Sequence, residues 1–194
     1  MPGSAIDDSS VSEPRIIVAA LGDSITEGSP GLRGWDVWAG RADGRYEIRN
    51  CGIYGQRTDE IAARLDECAR GAGVLIVQGG INDIAQGRDV GAAAENLRVM
   101  VQRGKQLVPC VVLADVLPWN NGWPGAEPRI ARLNELIAEI ARDEGVPLLA
   151  FYDTLEDADR PGRMRAEWTF EGDHPNEAGY RLLADVVLRE LQKV

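Results

Sequence analysis

The chain has 194 residues, of which 44% are hydrophobic, and its formal net charge is -10 at pH 7. This length suits one domain of ordinary size, and no change in composition divides the chain in two. The negative charge argues against nucleic acid and anionic membrane surfaces as partners, because both would repel the protein. A small neutral or cationic molecule is the better candidate for a ligand.

The N-terminal segment is rich in Ser, Asp and Pro and contains no apolar run. Residues 1–14 are therefore predicted to form a disordered tail, and residues 15–194 a single domain. No segment is apolar over the length that a membrane span requires. Since the segment also lacks the apolar core of a signal peptide, a cytoplasmic location is expected.

Short apolar runs rich in β-branched residues alternate with longer amphipathic stretches. The runs predicted to be strands are 15–21, 46–50, 74–78, 109–116 and 147–151. The stretches predicted to be helices are 58–70, 90–105, 129–144 and 176–194. The alternation predicts an α/β fold: a three-layer α/β/α sandwich around a flavodoxin-like, five-stranded parallel sheet with strand order 2-1-3-4-5. The segments 117–127 and 153–169 are expected to be irregular loops after strands.

Ser24 follows the first predicted strand at a bend flanked by Gly22 and Gly28. Ligands of parallel sheets bind beyond the carboxyl ends of the strands, so a serine here can present its hydroxyl as a nucleophile. Ser24 and Glu27 also match a capping box, in which the serine only begins a helix. Both interpretations stay open on these residues alone.

His174 is the only histidine of the chain and lies just before the last predicted helix. Isolated surface histidines usually have no catalytic role, but this one has Glu171 and Asp173 beside it. A serine nucleophile needs a base to accept its proton, and the base needs an acid to orient its second ring nitrogen. His174 is therefore the candidate general base.

Glycine-rich motifs end the second and third predicted strands, around Gly55 and Asn82. In one interpretation the glycines form turns and Asn82 caps the following helix. In the other, the amides of Gly55 and Ser24 and the side chain of Asn82 donate hydrogen bonds to an oxyanion. The loops after strands 1 and 3 can meet, because these strands flank the point where the strand order reverses.

Four motifs in this order resemble those of the GDSL family of lipases and acylhydrolases, also called SGNH hydrolases. The motifs are Gly22-Asp23-Ser24, Gly52 to Gly55, Gly80-Ile81-Asn82-Asp83 and His174-Pro175. The resemblance implies a serine esterase of the carboxylic ester hydrolase type, without metal or organic cofactor. It also implies the roles: Ser24 as nucleophile, His174 as base, and Ser24, Gly55 and Asn82 as oxyanion-hole donors.

The acidic partner of the histidine departs from the family pattern. The family usually has an aspartate three residues before the histidine, where this chain has Glu171. An aspartate occurs instead at Asp173, next to the histidine. Glu171 is favoured as the orienting acid, because adjacent side chains on an extended segment diverge. Asp173 or a backbone carbonyl remains an alternative.

Substrate selection is assigned to the loop after the fourth strand, which carries Trp119 and Trp123, with Tyr54 as a further candidate. The tryptophans wall a substrate pocket or simply anchor the loop. No loop contains an extended apolar lid, which favours small or short-acyl esters as substrates. By resemblance, a lysophospholipase, a thioesterase and a carbohydrate O-deacetylase are the alternatives.

Two hypotheses other than a serine esterase also account for part of the sequence. The first is a non-catalytic α/β module that binds a small ligand at the loop 22–28, although this loop has no lysine for a phosphate. The second is a metal site formed by Asp23, Asp83, Asp173 and His174, disfavoured by the single histidine.

The cysteines are odd in number and lack the close pairing of a zinc site. They are expected to be buried free thiols, and they are Cys51, Cys68 and Cys110.

Overall fold

The computed structural model describes residues 15–28, 34–42 and 44–193. Within them, five strands form one parallel sheet in the order β2-β1-β3-β4-β5. The strands are β1 (Ile16–Gly22), β2 (Tyr46–Gly52), β3 (Val74–Val77), β4 (Cys110–Ala114) and β5 (Leu148–Leu149). The predicted strand order is confirmed. The predicted tail, 1–14, lies outside the described residues.

Helices cover both faces of the sheet, so the predicted three-layer α/β/α sandwich is confirmed. Their bounds are α1 (Ser24–Glu27), α2 (Trp35–Ala42), α3 (Thr58–Ala62), α4 (Leu65–Cys68), α5 (Ile81–Ala85), α6 (Val90–Leu107), α7 (Ala126–Glu144), α8 (Phe151–Leu155) and α9 (Glu177–Leu191). A single 3₁₀ turn within the described chain spans Ala166–Trp168.

The hydrophobic core lies on the two faces of the sheet, because successive side chains of a strand point in opposite directions. Leu75 and Val77 of β3 face a cluster that includes side chains of α3, α4, α6 and α7. Val74 and Ile76 face a second cluster, with Trp35 of α2 and side chains of α8 and α9. All four β3 side chains are buried, as expected for a central parallel strand.

The predicted helix over 58–70 is interrupted. It forms two short helices, α3 and α4, with Arg64 between them in a non-helical conformation. The Arg64 guanidinium donates hydrogen bonds to the carbonyl of Cys51 at 2.7 Å and to that of Gly22 at 3.1 Å. The interruption thus lets one side chain join the carboxyl ends of β1 and β2, a long-range contact that helical periodicity does not reveal.

The prediction that 153–169 is irregular is wrong in part. This segment contains an antiparallel hairpin of β6 (Glu156–Asp157) and β7 (Arg160–Met164). The carboxylate of Asp157 accepts hydrogen bonds from the backbone nitrogen of Asp159 and from the Arg160 side chain, at 3.1 and 2.8 Å. The hairpin consists mostly of polar residues, and side-chain hydrogen bonds close its turn. Its sequence therefore shows only a weak hydrophobic pattern.

The expectation of three buried free thiols is wrong for two of them. Cys51 and Cys68 form a disulfide, with Cα atoms 6.1 Å apart. The helix break described above brings the end of α4 beside the end of β2, a proximity that a spacing of 17 residues does not reveal. Cys110 has no disulfide partner and is partly buried, and burial raises the pKa of its thiol.

Candidate active site

Ser24 is the first residue of α1, the short helix that follows the carboxyl end of β1. The residue is buried. The N-cap of α1 is Asp23, whose carboxylate accepts a hydrogen bond from the backbone nitrogen of Ile25 at 3.0 Å. The capping-box interpretation of Ser24 is therefore wrong, since Asp23 performs the capping. The Ser24 hydroxyl remains available for another contact.

That contact is with the single histidine. Ser24 Oγ lies 3.1 Å from His174 Nε2, and the imidazole is buried. His174 Nδ1 lies 3.1 Å from Glu171 Oε1 on the other side of the ring. The Glu171 side chain is about half exposed, at 51%. Hydroxyl, imidazole and carboxylate thus form one hydrogen-bonded row across 150 residues of sequence.

A tight turn between Thr169 and Pro175 allows the longer glutamate to reach the ring. Gly172 has a φ of +95°, a conformation that favours glycine, and its nitrogen donates to the Thr169 hydroxyl at 2.8 Å. That hydroxyl donates in turn to the His174 carbonyl, also at 2.8 Å. The turn folds the backbone back on itself, which compensates for the extra methylene of Glu171.

Asp173, the alternative acid, points elsewhere. Its carboxylate accepts a hydrogen bond from the indole nitrogen of Trp119, with Oδ1 2.8 Å from Nε1. The structure therefore places Glu171, and not Asp173, against the imidazole.

The candidate oxyanion donors follow β2 and β3. Asn82 lies in the first turn of α5, where Gly80 and not Asn82 occupies the N-cap position. Its Nδ2 donates to the carbonyl of Gln56 at 2.9 Å, which joins the loops after β2 and β3. Gly55, in the loop after β2, has a φ of +76°. The amide nitrogen Nδ2 carries two hydrogens, so one remains for another acceptor.

A cavity of about 180 Å³ opens beside the Ser24 hydroxyl. The described residues that line it are Ser24, Ile25, Tyr54, Gln78, Ile81, Asn82, Ala85, Val116, Leu117, Pro118, Trp119, Asp173 and His174. Of the sequence-predicted residues that the structure describes, Gly55, Glu171 and Trp123 are not in this lining. The Arg129 guanidinium lies over Trp123 instead, with Arg129 Cζ 5.8 Å from the centroid of the indole ring.

An exposed tyrosine covers the imidazole. The ring of Tyr54 stacks on that of His174, with centroids 5.9 Å apart and planes at 26°. The Tyr54 side chain is 60% exposed, so it stands between the base and solvent at the mouth of the cavity. It restricts the ring orientations open to His174.

Gln78, predicted only as the last residue of a strand, supports the turn that carries Ser24. Its Oε1 accepts hydrogen bonds from the Asp23 nitrogen at 3.3 Å and from the Thr26 hydroxyl at 2.9 Å. A glutamine in the buried end of a central strand needs a polar partner, and this requirement was the available signal. Gln78 fixes α1, and therefore Ser24, against β3.

Two buried aspartates beside the site are occupied by structural contacts. Desolvation raises the pKa of Asp23 to about 6, against the hydrogen bond that its carboxylate accepts from the Ile25 nitrogen. Burial also raises the pKa of Asp83, whose carboxylate accepts two hydrogen bonds from Thr58, each at 2.9 Å. Over residues 15–28, 34–42 and 44–193, no three His, Cys, Asp or Glu side chains are grouped to hold a metal ion.

Comparisons with known proteins identify the family of the chain. The family model described as GDSL-like lipase/acylhydrolase matches residues 20–182. No curated protein sequence matches the chain.

Solved structures of related fold come from several bacteria. A member of the lipolytic protein G-D-S-L family from Veillonella parvula is 24% identical, with a TM-score of 0.81 over 92% of this chain and 100% of its own. A lipase/acylhydrolase from Enterococcus faecalis is 23% identical, with a TM-score of 0.75 over 93% and 96%. An acetylxylan esterase from Geobacillus stearothermophilus is 20% identical, with a TM-score of 0.75 over 91% and 94%. From the family match over most of its length, the chain belongs to the GDSL-like lipase/acylhydrolase family.

Proposed function

We propose that the protein is a serine carboxylic-ester hydrolase that acts on small or short-acyl esters through an acyl-enzyme on Ser24. The observation that carries the proposal is the row formed by Ser24 Oγ, the two ring nitrogens of His174 and Glu171 Oε1, with 3.1 Å at each contact. A hydroxyl, a base and an orienting acid at hydrogen-bond distance are what nucleophilic acyl transfer requires.

In the proposed mechanism, His174 Nε2 accepts the proton of the Ser24 hydroxyl as Oγ attacks the ester carbonyl. Glu171 accepts a hydrogen bond from Nδ1–H, which selects the tautomer with a free Nε2 and stabilises the imidazolium that forms. His174 then protonates the leaving alcohol. Water, activated by the same imidazole, hydrolyses the acyl-enzyme and regenerates Ser24.

The oxyanion is proposed to bind between the backbone amides of Ser24 and Gly55 and the second Nδ2 hydrogen of Asn82. Ser24 lies at the N-terminal end of α1, so its amide is not used within the helix. Asn82 lines the cavity, and its bond to the Gln56 carbonyl holds the amide in place before substrate arrives. Donors that are fixed in advance stabilise developing charge without reorganisation.

Asn82→Ala should lower kcat by about 100-fold to 1000-fold, which is about 3 to 4 kcal/mol of transition-state stabilisation. Asn82→Asp has the same shape but replaces the donor by a negative charge, so it should be at least as slow. Steady-state kinetics on one activated ester, with thermal unfolding of each variant, checks both. Turnover within a few-fold of the parent in Asn82→Ala would remove Asn82 from the oxyanion hole.

The size of the cavity limits the acyl group. A cavity of about 180 Å³ is of the order that holds one small molecule such as benzene, and Leu117, Pro118 and Trp119 form part of its wall. The buried position of Leu117 and the hydrogen bond of Trp119 to Asp173 fix this wall. An acetyl to butyryl group fits better than a long chain, which argues against the lysophospholipase and long-chain thioesterase alternatives.

A series of p-nitrophenyl esters from acetate to decanoate tests the acyl preference. We expect kcat/KM to be highest for acetate to butyrate and to fall steeply with longer chains. Trp119→Ala removes part of the wall and should shift the preference toward longer chains, whereas Trp123→Ala, outside this cavity, should leave the ranking unchanged. A parent enzyme that prefers octanoate or decanoate would contradict the short-acyl proposal.

A carbohydrate O-deacetylase is the second candidate, favoured by a groove behind the cavity wall. This groove, of about 320 Å³, is lined by both Trp119 and Trp123 and by the polar residues Asn120, Glu127 and Arg163. Aromatic faces beside hydrogen-bonding groups suit a sugar ring as the alcohol part of the ester. Release of acetate from acetylated oligosaccharides, impaired by Trp123→Ala while p-nitrophenyl acetate is not, would favour this candidate.

None of the described helices has the length and apolar character needed to cross a membrane. The cytoplasmic location stays a prediction from the sequence. The disulfide between Cys51 and Cys68 counts against it, because reduced glutathione and thioredoxin keep most cytosolic thiols reduced. A small-molecule ester remains the proposed partner, in keeping with the net charge of -10.

A further inference from the structure

The base and the wall of the substrate cavity belong to different loops, and a hydrogen bond joins them. Trp119, in the loop after β4, lines the cavity and donates from Nε1 to Asp173 Oδ1 at 2.8 Å. Asp173 immediately precedes His174 in the chain. A carboxylate that accepts from an indole nitrogen forms a charge-assisted hydrogen bond, which is stronger than one between neutral groups.

The contact continues along both loops. The backbone nitrogen of Asn120 donates to the carbonyl of Gly172 at 2.8 Å. The side chain of Asn121 donates to the carbonyl of Glu171 at 2.6 Å. Consecutive residues of one loop thus bind consecutive residues of the other, in antiparallel order with Trp119 on Asp173. The turn that carries Glu171 and His174 is held on this side by the cavity wall.

The wall itself is attached to a long helix. The side chain of Asn134, in α7, accepts from the backbone nitrogen of Val116 at 2.8 Å and donates to its carbonyl at 2.9 Å. Both backbone groups at the start of the loop are therefore fixed by one amide. Trp119, three residues later, is thus connected to the rigid part of the fold, and the histidine turn is connected to it through Asp173.

We infer that Trp119 and Asp173 are positioning residues for the reaction, and that their hydrogen bond sets His174 Nε2 on the Ser24 hydroxyl as part of the same structure that confines the acyl group. Asp173 acts through its contact with the indole and not through the imidazole, whose Nδ1 contacts Glu171. The inference rests on the proposed esterase function.

The test uses single and combined variants of the full chain on p-nitrophenyl acetate. Trp119→Phe keeps an aromatic wall but removes the N–H donor, and Asp173→Ala removes the acceptor. Each should lower kcat on the order of tenfold with KM within about twofold, because misalignment of the base affects the chemical step more than binding. Asp173→Asn keeps an oxygen that accepts the indole N–H, so it should recover most of the lost turnover.

The double variant Trp119→Phe/Asp173→Ala should be no slower than the slower single variant, since both substitutions remove one interaction. Additive losses, or an Asp173→Asn variant as slow as Asp173→Ala, would overturn the inference. If Trp119→Phe fails to fold, the comparison of Asp173→Asn with Asp173→Ala still decides. An inactive parent enzyme would contradict the esterase function, whereas an active parent with unaffected variants would contradict only the positioning role.

Discussion

Ser24→Ala is expected to reduce kcat by about 10⁵-fold to 10⁶-fold, the largest effect of any single substitution in the chain. The variant keeps the cavity and the oxyanion donors but has no atom to form the acyl-enzyme, so only binding and electrostatic stabilisation remain. The change should alter folding little, because Asp23 caps α1. Steady-state kinetics with an activated short-chain ester measures the loss, after removal of any contaminating esterase.

A double variant provides the internal control for that experiment. Ser24 Oγ and His174 Nε2 are in direct contact, so each is useless in proton transfer without the other. Ser24→Ala/His174→Ala should therefore be no slower than Ser24→Ala alone. A Ser24→Ala variant that retains more than about 1% of parent turnover would mean that another group is the nucleophile.

Glu171→Gln is expected to lower kcat by about 10³-fold to 10⁴-fold, less than the loss of the nucleophile or the base. The amide can donate to His174 Nδ1, which favours the tautomer with a proton on Nε2, and this tautomer cannot accept the proton of Ser24. The neutral side chain also no longer stabilises the imidazolium. Because the Glu171 side chain is 51% exposed, water can take its place in part, so the loss should not exceed that for a fully buried acid.

Glu167→Gln is the matched control. Glu167 is exposed, lies four residues earlier in the same segment and pairs with Arg165, not with the histidine. Its substitution should leave kcat within about twofold of the parent, because the imidazole and its tautomer are untouched. Equal losses in Glu171→Gln and Glu167→Gln would show that neither acid orients the base, and would favour a backbone carbonyl for that role.

The sheet was predictable because its strands, apart from the edge strand β2, are short, continuously apolar and separated by stretches with helical periodicity. Val74–Val77 has no polar residue, which only a strand covered on both faces tolerates. The right-handed crossover rule then left few possible strand orders. Segments whose structure depends on side-chain contacts were harder to predict from the sequence. The helix break at Arg64 and the turn closed by Asp157 both depend on hydrogen bonds, not on hydrophobic pattern.

The sequence was sufficient to predict which residues come together in the site. It was less informative about how their side chains are oriented. Ser24, Asn82 and His174 each follow or precede a regular element at the carboxyl edge of the sheet, so topology alone brings them together. The choice between Glu171 and Asp173 depended on a turn at Gly172 that local sequence does not determine. Trp119 and Trp123 lie in the same loop, and the sequence does not distinguish their roles. Only Trp119 lines the catalytic cavity.

The most direct test of the account is mass spectrometry of the intact protein after exposure to a small fluorophosphonate, followed by peptide mapping. The reagent phosphonylates a serine only where a base and an oxyanion site activate the hydroxyl. We expect one adduct per chain, located on Ser24, absent in Ser24→Ala and formed far more slowly in His174→Ala. Ester hydrolysis with the label on another residue would contradict the account, as would a folded protein that takes up no label and hydrolyses no ester.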